Sequence, residues 1–514
     1  MALTYDELPN DTESLKHLIL GREQLIAQLS DEIARLKRWR FGRSAEKMDD
    51  TLLQQQLALG DVSAVPLSPA PSNDPDFTAE QSKDLAAPRV RRPARLLPDH
   101  LPRETVLHQP ATCDCPDCGA QMRKLGEDVS EMLNYVPGAF TVVRHVRPKL
   151  ACGRCSKVVQ LPAPPRPIER GLPAPGLLAQ VIVSKYADHC PLYRQEAIYQ
   201  RSGVQLDRAT LASWIGAASN LLAPLVDGLG RHVRSAAKIH GDDTPVPVLD
   251  PGRGRTKTGR LWTYVRDDRP SGSKDPPAVW YQFSPDRKGE HPQRHLKNFK
   301  GILQADAYSG YGEIYATGKV LEASCWAHAR RKFYDVHIAT KSPLAAEAIR
   351  RIGLLYAIER EIRGLQPKVR AAVRKERSAP ILDDLRTWLV ATLQTVSSKS
   401  SLALAIKYTL VRWEAMTRFC GDGRVELDNN TAERSIRAIV LGRRNYLFVG
   451  ADTGGERAAN IYSLIGTCLL NGIEPYAYLR HVLERIADHP INRVEALLPW
   501  HVADQLAPPL RQAA

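Results

Sequence analysis

Strand-like runs flanked by long helical stretches predict a multi-domain α+β chain with one mixed α/β domain at its centre. Three observations carry this. The runs KIHGDDTPVPVLD, RLWTYVRDD and AVWYQFSPD are strand-like and separated by Gly, Pro and Asp turns. A doubled Cys-x-x-Cys spacing lies upstream of them, and helical periodicity dominates the segments before and after. At 514 residues the chain has the length for several domains and a large core. Its formal net charge of +14 suits a polyanionic partner such as nucleic acid, although a merely basic surface would also account for it. The opening MALTYDELPNDTES is acidic and lacks the apolar core of a secretory signal. No apolar run reads as membrane-spanning; the longest candidates, such as IYSLIGTCLLNGI, are broken by polar residues. Nine cysteines without an export signal point to reduced thiols or metal ligands, and so to the cytoplasm.

Residues 1–59 read as an N-terminal amphipathic helix and a basic segment. Leu18, Leu25, Leu29 and Leu36 form a partial heptad seam with Ile26 and Ile33 beside it, interrupted by Arg22 and Glu32. A short coiled coil and a helix packed on its own domain both fit that pattern. LKRWRFGRSAEK follows, basic with Trp39 and Phe41 interleaved, a candidate phosphate contact. Residues 60–98, rich in Pro, Ala, Ser and Asp, read as a flexible linker. Residues 99–161 read as a zinc-binding module. Cys115 and Cys118 make one knuckle, Cys152 and Cys155 a second, each with a glycine at its turn, and Cys113 could replace Cys115. Four thiolates satisfy tetrahedral zinc and leave no open position, so this zinc is structural. Residues 162–235 form a proline-rich connector and a helical, candidate DNA-binding domain. Within it YRQEAIYQRSGVQLDRATLASWI reads as two helices, with a turn at Ser202-Gly203 and Asp207 capping the second. That helix-turn-helix-like pattern fits docking into a DNA groove and plain helix packing equally.

From Lys238 the texture changes. After the three strand-like runs, HPQRHLKNF is helical and GILQADAY is an apolar strand. A short segment around Tyr311 to Tyr315 then leads to LEASCWAHARRKF, a strand running into a basic helix. Three strands, helix, strand, helix, strand, helix is the order of the ribonuclease-H-like fold. We assign it to residues 236–457, with a polar, helical insertion at about 342–415. A C-terminal helical region, 458–514, is expected to close the domain through Tyr462, Leu464, Leu469 and Leu479.

Asp242 is expected at the end of the first strand and Asp306 at the end of the fourth. Glu433 lies in VELDNNTAERSIRAIVLGRRNYLF, where Asp428, Asn429 and Asn430 are good helix N-caps and Ile436, Ile439 and Val440 share one side. The glutamate then falls in the first turn, where the helix dipole favours an anion, with Arg434, Arg437, Arg443 and Arg444 crowded around it. Singly, each carboxylate also reads as a turn, cap or salt-bridge residue. Their joint order within one fold favours metal chemistry. Phosphodiester cleavage without a covalent intermediate needs an activated water or hydroxyl and a charge sink at the leaving oxygen, and two divalent ions supply both. Magnesium keeps several waters, so a few carboxylates hold it. Cys325-x-x-His328 is a lone half-site, read as structural or supporting. The run GADTGG, residues 450 to 455, reads as too glycine-rich for a helix and able to approach phosphate.

From the knuckles to the C-terminus the sequence resembles the bacterial DDE transposases of the insertion sequence 66 family. The most specific stretches are GDDTPV, LQADAYSGY, SCWAHARRKF and DNNTAERSIRAIVLGRRNYLFVGADTGGERAANIYSLIGT, and the N-terminal helix with RFGRSAEK resembles that family's leader. The resemblance implies that Asp242, Asp306 and Glu433 bind two magnesium (or manganese) ions. It implies too that Cys115, Cys118, Cys152 and Cys155 bind zinc, and that Arg434, Arg437, Arg443 and Arg444 hold DNA phosphates. The family usually reads Asp-Glu-Thr where this chain has Asp242-Asp243-Thr244, which keeps Asp243 as a substitute ligand. The implied activity is hydrolysis at transposon ends, then attack of the freed 3′-hydroxyl on target DNA. Implied partners are double-stranded DNA (terminal inverted repeats and target), at least one further copy of the chain and small accessory proteins of the same element. No membrane partner is implied, and the setting is the bacterial cytoplasm at the nucleoid. A catalytically silent repressor or architectural factor of the same ancestry is the alternative, and a structure-selective nuclease a third.

Overall fold

The computed structural model of the chain describes residues 165–169 and 171–506, with isolated positions before them. The N-terminal helix, the linker and the zinc cysteines Cys115, Cys118, Cys152 and Cys155 lie outside the described residues. Three helices lead in: α1 (Pro175–Tyr186), α2 (Leu192–Arg201) and α3 (Arg208–Arg234). The chain turns between α2 and α3 at Gly203, whose φ of 80° suits glycine. Asp207 caps α3 by accepting the Thr210 N–H at 2.8 Å, as its sequence position predicts. By length and composition α3 could cross a membrane, contrary to the sequence reading. In the fold its apolar side, including Leu211, Ala218, Leu222, Leu225 and Leu229, is buried, and it packs on the edge of the central sheet.

That sheet has five strands: β1 (Lys238–Val248), β2 (Lys257–Arg266), β3 (Ala278–Ser284), β4 (Gly301–Ala305) and β5 (Val320–Ala323). Their spatial order is β3-β2-β1-β4-β5, with the first three antiparallel and β1, β4 and β5 mutually parallel. The interleaved helices α4 (Glu290–His295), α5 (Gly312–Ala316) and α6 (Trp326–Thr340) complete the element order read from the sequence. One position differs. Asp242 does not end β1; the strand continues to Val248 through Pro245 and Pro247. Prolines look strand-breaking, but β4 pairs β1 only as far as Gly241, so its ladder asks no N–H of Pro245 or Pro247, whose carbonyls accept from Arg443 and from the Val449 N–H.

The insertion comprises α7 (Pro343–Ile362), α8 (Pro367–Val373), a π-helical turn (Arg374–Ser378), α9 (Ala379–Thr395), α10 (Ser401–Val411) and α11 (Trp413–Gly421). It is helical but not polar inside. Ile352, Leu355, Leu385, Leu389 and Ile406 pack against Trp326 and Phe333 of α6, forming a core that the many surface charges conceal in the sequence. Helices α12 (Asn430–Asn445), α13 (Asp452–Leu470) and α14 (Pro475–Leu483) follow, with a short α15 (Pro499–Val502) after them. Helix α13 begins inside the glycine-rich run, correcting the non-helical reading. A Cβ on Gly455 would fall 2.3 Å from the Phe283 ring, so this glycine serves close helix–sheet approach. Along the same contact Ser463 and Thr467 accept the edge N–H groups of Tyr281 (2.9 Å) and Val279 (3.2 Å), which covers the open edge of β3. Tyr462, Leu464 and Leu479 are buried as expected, whereas Leu469 is 54% exposed and takes no part in closing the domain.

Candidate carboxylate active site

Strand register brings the two aspartates together. His240 pairs with Gln304 and Gly241 with Ala305 across the parallel β1–β4 ladder. Asp242 and Asp306 each lie two residues beyond the first of those pairs. Side chains alternate along strands, so both carboxylates leave the same face at neighbouring positions. Asp243, one residue on, takes the opposite face. There it is held by Arg260 at 3.0 Å and Arg287 at 2.8 Å, and Arg287 lies 3.8 Å from Asp306.

Glu433 arrives on the first turn of α12, and a buried polar network sets where that helix starts. Asn429 occupies the N-cap position but does not cap. Its Nδ2 donates to the Gly241 carbonyl at 2.9 Å, and its Oδ1 accepts from His240 Nδ1 at 3.0 Å. Burial, aided by Lys238, pushes His240 down to about 3, so the ring is neutral. Lys238 Nζ lies 3.2 Å from Nε2, which fixes the tautomer with the proton on Nδ1. The Cys325 thiol accepts the Asn429 N–H at 3.1 Å, and Asp428 accepts the Asn430 N–H at 3.1 Å. Just upstream, Gln304 and the Glu426 backbone bond in both directions, at 2.6 and 3.1 Å. The insertion grips this loop from the other side. Arg370 donates to Glu426 and to the Gly423 carbonyl at 2.8 Å each, while Arg374 donates to Glu359 at 2.6 Å and to the Phe419 carbonyl at 2.8 Å. Both guanidiniums are essentially sealed from solvent, at 1% and 0% exposure.

The three acids act on one another electrostatically. Burial, then Asp306 and Glu433, push the Asp242 carboxyl well above its ordinary range. Burial raises Asp306 too, with Asp243 adding to it and His328 opposing. Glu433 is raised by burial against the pull of His328, Arg331 and Arg434, with Asp306 adding repulsion. Burial lifts neighbouring Asp428 to about 7. A site whose acids are raised by burial and mutual repulsion is short of positive charge. A hard divalent cation reverses both effects, and carboxylate oxygens are donors that suit one.

His328 Nδ1 lies 3.7 Å from Glu433 Oε1, and Cys325, His328 and Glu433 offer ligand atoms within 4.8 Å of one another. Burial pushes the Cys325 thiol well up, however, and it already accepts the Asn429 N–H. It is a structural thiol, whereas His328 reaches the acid cluster. Arg443 and Arg444 do not surround Glu433 as expected. They sit in the last turn of α12, about 15 Å along the axis, and Arg443 donates to the Pro245 carbonyl. Arg434 is exposed beside Glu433 and bonds Thr431 at 3.2 Å, and Arg437 is exposed one turn on. Sequence reasoning missed Arg331, which acts on Glu433 ahead of Arg434. The three-residue spacing of His328 and Arg331, one face of α6, was the available signal.

Comparison with known proteins agrees along the chain. The family profile described as "Transposase IS66 family" matches residues 170–457, and "IS66 C-terminal element" matches 463–500. Upstream, "zinc-finger binding domain of transposase IS66" matches 112–156, and "Transposase C of IS166 homeodomain" matches 28–106. Two proteins of Sinorhizobium fredii are similar over almost their whole length. "Uncharacterized protein y4hP" is 41% identical over 92% of this chain and 88% of its own. "Uncharacterized protein y4jD" is 40% identical over 98% of this chain and 99% of its own.

Proposed function

The chain belongs to the IS66 family of transposases, and on that premise we propose that it cuts DNA at transposon ends and joins the freed 3′-hydroxyl to target DNA. The observation that carries this reading is the parallel register setting Asp242 beside Asp306 on the face that receives Glu433. The strand order β3-β2-β1-β4-β5 supports a ribonuclease-H-like catalytic domain over 236–457. Asp242, Asp306 and Glu433 would hold the divalent ions, which when bound activate the attacking oxygen and neutralise charge on the leaving one. The chain's own residues do the rest. Asn429 and His240 orient the start of α12 and so aim Glu433. His328 and Arg331 flank that carboxylate, within reach of a phosphate lying against it. Arg434 and Arg437 face solvent on the same helix and would hold the DNA backbone, positioning it without reading sequence. Asp243, paired with two arginines on the other face, is spared from metal binding.

Cys115, Cys118, Cys152 and Cys155 fall within the zinc-finger match and would hold a structural zinc. We assign terminal-repeat recognition to the chain upstream of residue 236. At least two copies would pair two ends, with small accessory proteins of the element as further partners, at the bacterial nucleoid. The test is a supercoiled-donor cleavage assay with magnesium. Glu433→Gln should abolish nicking while end binding stays within a few-fold. Equal loss of both would make Glu433 structural. A wild-type chain that binds ends but never nicks, even with accessory proteins present, would be a silent DNA-binding relative instead.

A further inference from the structure

Away from the carboxylates, beside edge strand β3, lies a cavity of about 350 Å³ lined by Arg234, Trp280, Gln282, Arg294, His295 and Lys297, among others. Asp242 pairs with Thr263 and Thr263 with Tyr281, whereas Trp280 and Gln282 are the alternate residues of β3. Strand alternation therefore puts this cavity on the opposite face of the sheet.

Its charge is one-sided. Arg234, Arg294 and Lys297 converge on it, no carboxylate lines it, and among the described residues none of the three is in an ion pair. Nearby arginines are matched: Arg260 and Arg287 with Asp243, Arg266 with Asp275, Arg269 with Asp267. A second observation is independent of charge. Trp280 and His295 are buried, at 6% and 7% exposure, yet Trp280 Nε1 and His295 Nε2 have no hydrogen-bond partner. His295 Nδ1 meets the Tyr264 hydroxyl at 3.1 Å. When Nδ1 accepts from that hydroxyl, Nε2 carries the ring proton and is, like the indole, an unused donor. Folded proteins rarely leave buried donors unused. Three unmatched cations with two idle donors describe a receptor for an anion rich in acceptor oxygens.

We propose that this pocket binds a backbone phosphate of DNA, at a contact separate from the carboxylate site. The proposal rests on the transposase reading. Phosphate chemistry matches both the charge and the donors. A base or free nucleoside does not fit, because the Arg234 guanidinium already lies over the Trp280 ring at 4.4 Å and leaves that face unavailable for stacking. Arg294 and Lys297 are exposed, so the mouth opens to the surface where a duplex can present its backbone. Such a contact places the DNA without reading it and adds to the salt dependence of binding.

The experiment is fluorescence anisotropy of the full chain with a labelled duplex across a salt series, comparing wild type, Arg294→Gln/Lys297→Gln and Trp280→Phe. The double variant changes only exposed side chains; Trp280→Phe keeps the ring packing and removes the N–H. The double variant should bind roughly 10-fold more weakly, with the salt slope reduced by about one to two, and Trp280→Phe several-fold more weakly. Affinity and slope unchanged in both variants, while Arg434→Gln/Arg437→Gln lowers them, overturn the pocket and leave the transposase reading standing. Inorganic phosphate is the second probe. If it raises the wild-type melting temperature and not that of the double variant, yet duplex affinity is the same for both, the ligand is a free anion and the DNA assignment fails. A wild-type chain with no duplex affinity at all fails the transposase reading itself.

Discussion

Arg370→Met tests how the fold holds Glu433 in place. Arg370 is 1% exposed and donates to Glu426 at 2.8 and 3.2 Å, to Glu359 at 3.1 Å and to the Gly423 carbonyl at 2.8 Å. Methionine keeps much of the stem but strips the charge, leaving Glu426 buried beside Gln304 and the loop into α12. Breaking a buried pair by removing one partner costs about 3–5 kcal/mol, far above the ~0–1 kcal/mol of an exposed pair. At about 2 °C per kcal/mol, the low end for large domains, the midpoint should fall by about 6–10 °C. Thermal unfolding by circular dichroism, metal-free at neutral pH, measures it. The pH dependence is a second check. Burial pushes the Glu426 carboxyl up, but Lys238 and Arg370 outweigh it and hold it below its usual range. The stability from this group is therefore present above the unfolded pKa and lost as pH falls through the lower folded one. The deficit of Arg370→Met should shrink in acid, where the orphaned carboxylate can take a proton, and Arg370→Met/Glu426→Gln should recover part of it at neutral pH. A shift under 2 °C, or no recovery in the double variant, would refute the clamp.

Asp428, raised to about 7 by burial, makes the folded metal-free chain bind an extra proton between about pH 4 and 7. Its contribution is then present in acid and lost as pH rises. Asp428→Asn should gain midpoint relative to wild type between pH 5 and 8, and a constant difference would count against this. Manganese at about 100 times its Kd should stabilise the wild type by about 2.7 kcal/mol, an effect kept in Asp243→Asn and absent in Asp242→Asn. The reverse pattern would make Asp243 the ligand. Metal analysis should find about one zinc per chain, lost in Cys118→Ser and retained in Asp242→Asn. Zinc retained in Cys118→Ser would reject the four-cysteine assignment.

The order of strands and helices from Lys238 to Thr340 was legible in the sequence because periodicity and turn residues act within a few residues of one another. The Asp207 cap was readable for the same reason. Misreadings came where local chemistry and packing disagree. Asp242 reads as a strand end, and Gly454 and Gly455 read as a loop, but β1 runs on because the Pro245 and Pro247 carbonyls find partners in Arg443 and Val449, and Phe283 requires the bareness of Gly455.

Taken alone, the chain named the carboxylates that could matter and kept Asp243 open as a substitute for Asp242; the extension of β1 to Val248 is what sets the two on opposite faces. Tertiary structure decided which face received Glu433. The β1–β4 register aligns Asp242 with Asp306, and the contact of Asn429 with His240 delivers the helix. It decided as well that Arg331, not Arg443 or Arg444, stands beside Glu433. The physical reason is range: a helix or strand forms from neighbours in the chain, whereas a site is made by hydrogen bonds and charges between residues more than 60 to about 190 positions apart, and those exist only after packing.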